Sequence, residues 1–214
     1  MTLPFLTPEK ALIFRITHRD NLPWILDHGL HARSSHIQDP NFHKIGDFDL
    51  IEKRPRRFVP VGSRGTLSDY IPFYFTPLSM MAYNMHTRYR GIEQVLNRDL
   101  VIVYSSLSRL TELAIPFVFT NEHAYRATAR YFTDAADLKE IDWRILQSRD
   151  FKHDPDDPGK TDRYQAEALI WKHLPVDALL GICGCNTGVQ REIENELTKR
   201  GLTVKAYAEE GWYF

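Results

Sequence analysis

The chain has 214 residues, is 43% hydrophobic and 26% charged, and carries 11 glycines and 12 prolines. That length supports one sizeable core, and the composition excludes a disordered, collagenous or coiled-coil chain. With 27 basic against 28 acidic residues, no whole-molecule field attracts a polyanion, so any hold on nucleic acid has to come from local clustering.

No run approaches the ~20 apolar residues that a bilayer span requires. The opening MTLPFLTPEK lacks the basic-then-apolar order of a secretory signal. The expectation is a cytoplasmic protein with no membrane partner. Cys183 and Cys185 are the only cysteines. On an extended stretch their thiols point to opposite faces, so neither a disulfide nor a complete zinc set is expected.

In chain order, Ala11–Thr17 is apolar and β-prone and reads as a strand. Asp20 reads as the N-cap of a helix with Pro23 in its first turn and Gly29 at its end. Residues 31–48 read as a loop, and 49–57 as a basic segment broken at Pro55. Tyr70–Pro77 is an aromatic strand, followed by a helix over 78–85. Leu100–Tyr104 and Phe117–Phe119 are short strands, and 135–141 is weakly helical. Phe151–Asp162, with two prolines, a glycine and several aspartates, reads as an exposed acidic loop. Tyr164–Trp171 then reads as a strand. Strands at 179–183 and 202–207 flank a helix over 188–200. The pattern predicts a single α+β domain spanning 1–214, with a mixed sheet and inserted helices.

Three features bear on chemistry. Glu167 sits inside YQAEALIW, an otherwise apolar run. A carboxylate there faces solvent, finds a partner or lines a cleft, and the first is the commonest. Lys53, Arg54, Arg56, Arg57 and Arg64 form a basic cluster opposed locally only by Glu52. It suits a solvated face, a nucleic-acid backbone or a pyrophosphate, because guanidinium forks match phosphate oxygens. Tyr70, Phe73, Tyr74 and Phe75 follow, either as bases' stacking partners or as core. The histidines, including His18 near Asp20, His28 near His31, and His123, match no established metal spacing. No metal is expected. These features point to a nucleotide or nucleic-acid cleft, with a non-enzymatic single-stranded nucleic-acid-binding module as the alternative.

Several segments in order carry a resemblance: IFRITHRDNLPWILDHGL, IEKR, GTLSDYIPFYFTPLSMM, PFVFTNEHAYRATARYF, QAEALI and the closing GWYF. Together they resemble the DarT-type DNA ADP-ribosyltransferases, toxins of bacterial toxin–antitoxin pairs. The resemblance implies an ADP-ribosyltransferase-like split mixed sheet with NAD, the substrate, in its central cleft. It implies transfer of ADP-ribose to a base of single-stranded DNA by a monomer, countered by a macrodomain-containing antitoxin. RNA or protein ADP-ribosyl transfer, or RNA 2′-phosphotransfer, is the nearest alternative.

By motif position the resemblance implies Glu167, Arg54 and His123 as catalytic residues. Arg15, Thr17, Asn21 and Arg54 are implied to bind NAD, and Arg56, Arg57, Tyr74 and His123 to bind DNA. The arginine segment is one residue shorter than the family's usual form, so Arg56 and Arg57 compete with Arg54. Position 15 is Arg where many relatives carry His, a departure that leans the expected target from thymine toward guanine.

Overall fold

The computed structural model describes residues 2–214; residue 1 of the expected domain lies outside them. The chain opens with β1 (Leu12–His18), α1 (Leu22–His28), β2 (Leu30–His31) and α2 (Phe48–Lys53). It continues through β3 (Tyr70–Tyr74), α3 (Met80–Thr87), β4 (Leu100–Ser106), α4 (Leu107–Glu112), β5 (Phe117–Thr120) and β6 (Tyr131–Phe132). The last third holds α5 (Trp143–Ser148), α6 (Lys160–Arg163), β7 (Glu167–Trp171), β8 (His173–Leu174), β9 (Gly181–Gly184), α7 (Thr187–Lys199) and β10 (Lys205–Ala208).

Eight strands form one mixed sheet in the order β10-β9-β4-β1-β3-β7-β5-β6, while β2 and β8 pair separately. β1 pairs with β4 along its full length, from Leu12↔Ser106 to His18↔Leu100. Against β3 it keeps a single pair, Phe14↔Tyr74. The sheet therefore divides into two four-strand halves joined at one point, and a cleft opens between β1 and β3. Pro72 sits in the middle of β3 for this reason. A proline lacks the N–H that a second neighbour would need, and β3 has a full neighbour only in β7.

Strand alternation sorts the β3–β7–β5 half. In register, Tyr70, Pro72 and Tyr74 share a face with Trp171, Leu169 and Glu167, and with Val118 on β5. The opposite face, with Phe73, Ala168, Ile170 and Phe119, joins the main core. The Glu167 face carries a smaller cluster of Val59, Leu67, Tyr70, Val118, Ala124 and Leu169. β4 reads as a continuous apolar run because it lies between β1 and β9, buried on both faces. Among the described residues no helix is long and apolar enough to cross a membrane.

Several local expectations need correction. Asp20 does not cap α1; a 3-10 turn, Arg19–Asn21, intervenes, and the His18 ring accepts the Asp20 N–H. Two short helices, α4 and α5, lie where no element was read from the sequence, and a third, α6, replaces expected loop. α4 and α5 are capped by Ser106 and Asp142. α6 occupies the end of the acidic loop, so β7 starts at Glu167 rather than Tyr164. The loop's acids are largely neutralised: buried Lys160 meets Asp150 and Asp154, Arg163 grips Asp157, and Arg126 pairs with Asp162. Apart from Lys160 the loop is exposed or half-buried, in line with expectation, but most of its acids are ion-paired.

Candidate active site

Glu167 has no exposed surface, which overturns the commoner outward-facing reading. It is the first residue of β7, paired with Tyr74 where the two halves of the sheet meet. Its Oε2 accepts from Arg54 Nη1 at 3.1 Å, and its Oε1 accepts from the Ala124 N–H at 2.9 Å. His123 Nδ1 lies 3.4 Å from Oε1. Burial alone pushes this carboxyl toward the protonated form. The Arg54 charge, with the Ala124 N–H, outweighs that and holds it below the usual carboxylate range.

Arg54 reaches Glu167 because α2 ends just before it and Pro55 turns the chain through a 3-10 segment, Arg54–Arg56. Of the three arginines, Arg54 is the one that contacts Glu167. Arg56 is exposed, and Arg57 Nη2 donates to the Arg126 carbonyl at 2.7 Å. Arg15, midway along β1, extends across the split and donates from Nη1 to the Pro72 carbonyl at 2.9 Å. Burial, with Arg54 nearby, pulls its guanidinium down to about 10, still protonated at neutral pH. Three buried guanidinium nitrogens have no partner among the described residues: Arg15 Nε, Arg54 Nη2 and Arg57 Nε. Unsatisfied donors in a polar cleft fit an anionic or hydroxyl-rich ligand.

His123 Nδ1 accepts the Tyr125 N–H at 3.1 Å. A neutral imidazole accepting there carries its proton on Nε2, so the ring offers a donor beyond Glu167. Tyr74 is half-buried, and burial, then the Glu167 charge, raise its phenol. Tyr70, Phe73 and Phe75 are buried, Tyr70 in the smaller cluster on the Glu167 face and Phe73 and Phe75 in the main core, so of the two readings of the aromatic segment these three take the core one.

Thr17 and Asn21 form a neighbouring node. The buried Asn21 amide donates to Thr17 Oγ1 at 3.0 Å and to the His43 carbonyl at 2.9 Å, and accepts the His43 N–H at 2.7 Å. It pins the 31–47 loop to β1. His18 stacks on His43, centroids 3.7 Å apart at 8°. With Asp20 these could group around an ion. Yet His18 Nδ1 already accepts the Asp20 N–H, and stacked rings hold their in-plane lone pairs parallel rather than convergent. The group is a packing node.

Three residues missed in the sequence support the site. Thr120 Oγ1 accepts the Glu167 N–H at 3.1 Å and donates to the Glu122 carbonyl at 2.6 Å. Tyr131 Oη donates to the Ala124 carbonyl at 2.5 Å. Ala124 contributes through its backbone, where no side-chain signal exists. The closing Thr of FVFT was the one legible hint, since it breaks an apolar strand. With Arg57 on Arg126 and the His123 N–H on the Asp162 carbonyl at 3.0 Å, the 121–131 loop presents the Ala124 N–H preorganised.

A mixed sheet split into two four-strand halves, with an ion-paired buried glutamate where they join, is the arrangement the resemblance implied. Similarity in sequence and fold to known proteins places the chain in the ADP-ribosyltransferase class. The family model described as "ssDNA thymidine ADP-ribosyltransferase, DarT" matches residues 14–214. The chain belongs to this DarT family of NAD-dependent DNA ADP-ribosyltransferases. It is 50% identical over 209 residues to a DNA ADP-ribosyl transferase of Escherichia coli O127:H6, covering 98% of this chain and 96% of that one. The structure of Thermus sp. 2.9 DarT in complex with ADP-ribosylated ssDNA superposes with a TM-score of 0.89 at 29% identity, covering 100% of both chains. The same protein in complex with NAD+ gives a TM-score of 0.81 at 29% identity, over 97% of this chain and 99% of that one.

Proposed function

We propose that this chain transfers ADP-ribose from NAD to a thymine of single-stranded DNA, with Glu167 and Arg54 at the reacting centre. The observation that carries the proposal is the buried Glu167–Arg54 pair at the joint of the split sheet. Arg54 covers the carboxylate. An incoming pyrophosphate competes for its guanidinium, whose Nη2 is already unpartnered, and so uncovers Glu167. Arg15, across the cleft, holds the same anionic ligand through Nε, and the Asn21–Thr17 node fixes the 31–47 loop to β1.

Glu167, held ionised, stabilises the positive charge that develops on the ribose as its bond to nicotinamide breaks. Nicotinamide leaves with the electron pair of that bond. The thymine N3 supplies a new pair to the ribose carbon and gives up its proton, for which Glu167 is the acceptor. His123, a donor through Nε2, holds a base carbonyl in line. Arg56 carries DNA phosphate. Arg57 braces the 121–131 loop and touches DNA only at its edge, and Tyr74 lines the base side of the cleft.

Thymine rests on the family's description. The guanine leaning rested on Arg15, whose Nη1 donates to the Pro72 carbonyl, and guanine stays the alternative base. Within one cytoplasmic monomeric domain the activity serves as a toxin, countered by a macrodomain partner, as the family resemblance implies. Mass spectrometry of oligonucleotides differing in one base, after incubation with NAD, tests the chemistry. An ADP-ribose adduct confined to thymine-containing strands is expected. An adduct on guanine revives the alternative base, and an adduct only on RNA or protein overturns the reading. Growth arrest by the parent chain, absent in Glu167→Gln and relieved by a macrodomain protein, tests the biological role.

A further inference from the structure

Residues 57–67 fold back as a short hairpin over the Glu167 face of the sheet. Phe58 bridges to Thr66, the Val59 N–H donates to the Gly65 carbonyl at 2.9 Å, and the Leu67 N–H donates to the Arg57 carbonyl at 2.9 Å. Val59 and Leu67 point inward against Val118 and Leu169. Alternation then points Phe58 outward. It is 75% exposed, more than any other large hydrophobic residue among those described.

The hairpin is stiff. Tyr70 Oη donates to the Arg64 carbonyl at 2.7 Å, closing its tip. Gly62, at φ +62°, lies where a Cβ would meet Val118 at 2.6 Å. Asp69 ties its far strand through the Thr66 N–H, and is itself held by Lys172 and Ser34. Pro55 and Pro60 bracket the ring in sequence. A bare phenyl ring on a fixed support loses little freedom when something stacks on it.

The surroundings select the occupant. Residues 53–65 contain no acid, and the nearest one, Glu52, is engaged by Arg33 at 2.6 Å. Lys53, Arg56 and Arg64 have no ion-pair partner among the described residues. Phe58 is four residues from Arg54, no more than about 14 Å along the chain, which is within reach of the nucleotides adjoining the target. An exposed ring among free cations matches a polyanion with flat apolar faces. We infer that Phe58 is a stacking platform for a base neighbouring the target in single-stranded DNA, and so helps set which sequence is modified. This rests on the DNA-acceptor reading above.

The test uses the full-length protein, NAD and a short single-stranded oligonucleotide with one thymine. Phe58→Ala should raise the KM for the oligonucleotide about 5- to 150-fold, the span of one lost base–aromatic stack. The KM for NAD and the melting temperature should stay unchanged, and Phe58→Trp should restore DNA affinity. Stacking releases no counterion, so Phe58→Ala should keep the parent's slope of log KM against log salt. Arg56→Ala should flatten it by about 0.7. An abasic nucleotide scanned along the strand should weaken the parent at one neighbouring position and leave Phe58→Ala no weaker there.

An unchanged oligonucleotide KM in Phe58→Ala overturns the inference, as does an abasic penalty of equal size in both proteins. If Phe58→Ala modifies DNA normally but loses binding to a purified macrodomain partner, the ring belongs to a protein interface instead. If the parent labels no DNA at all, the acceptor reading fails first, and the two failures are distinguishable.

Discussion

Removing the Glu167 carboxylate should damage stability and chemistry separately, and the structure assigns a size to each. Glu167 and Arg54 form an ion pair at 3.1 Å with side-chain exposures of 0% and 11%. Glu167→Ala leaves the Arg54 charge in a low-dielectric site without its partner, a loss of about 3–5 kcal/mol. With a urea m-value of about 3 kcal/mol/M for a chain of this size, the unfolding midpoint should fall by about 1–1.7 M.

Glu167→Gln is milder but not neutral. The carboxylate accepts on both oxygens, from Arg54 and from Ala124. An amide satisfies one of them and turns an NH2 on the other, costing about 1–3 kcal/mol. Adding Arg54→Met to Glu167→Ala should recover most of the stability, because no unpaired charge remains. Transfer by Glu167→Gln should fall at least about 10²–10³-fold in kcat, the usual result of losing one preorganised group at the transition state. The assays are urea unfolding by fluorescence and labelling from NAD onto an oligonucleotide. A Glu167→Ala midpoint within about 0.3 M of the parent, equivalent to about 1 kcal/mol, would refute the buried pair. Unaltered transfer by Glu167→Gln would refute the catalytic assignment.

Because the folded carboxyl of Glu167 is depressed, its contribution is fully present above the unfolded value of about 4.3 and is lost as pH falls through the lower folded value. Asp69 behaves the same way. Burial opposes its ionisation, but Lys172, Thr66 and Ser34 hold it well below the usual range. Asp69→Asn should therefore cost about 1–3 kcal/mol at neutral pH and progressively less in acid, read from thermal melts across pH. Arg57→Ala should lower kcat and the melting temperature with little change in salt slope, because Arg57 holds the Arg126 carbonyl; a changed slope with normal melting would return it to phosphate binding. A single strand should be labelled far faster than the same strand annealed to its complement, since pairing buries the thymine N3 in the stack. Equal labelling of the two forms sinks that expectation.

Much of this protein was readable from local sequence. β1, β3, β4, β5 and α7 announce themselves because apolar periodicity and caps are properties of neighbouring residues. Glu167 stood out as an acid in an apolar run, and the motif order carried the family. What local patterns could not carry were partners far apart in the chain. Arg54 meets Glu167 across 113 positions, and nothing in residues 53–57 distinguishes it from Arg56 or Arg57. Arg15 finds the Pro72 carbonyl across 57 positions, through a gap that exists only because β1 leaves β3 after one pair. The acidic loop looked unpaired because counterions such as Arg126 arrive from other elements. Strand propensity and caps act over a few residues, whereas a buried charge is tolerable only where the folded chain supplies its counterion. The sequence by itself therefore determined the elements and the identity of the acid, and the tertiary structure decided which cation answers it.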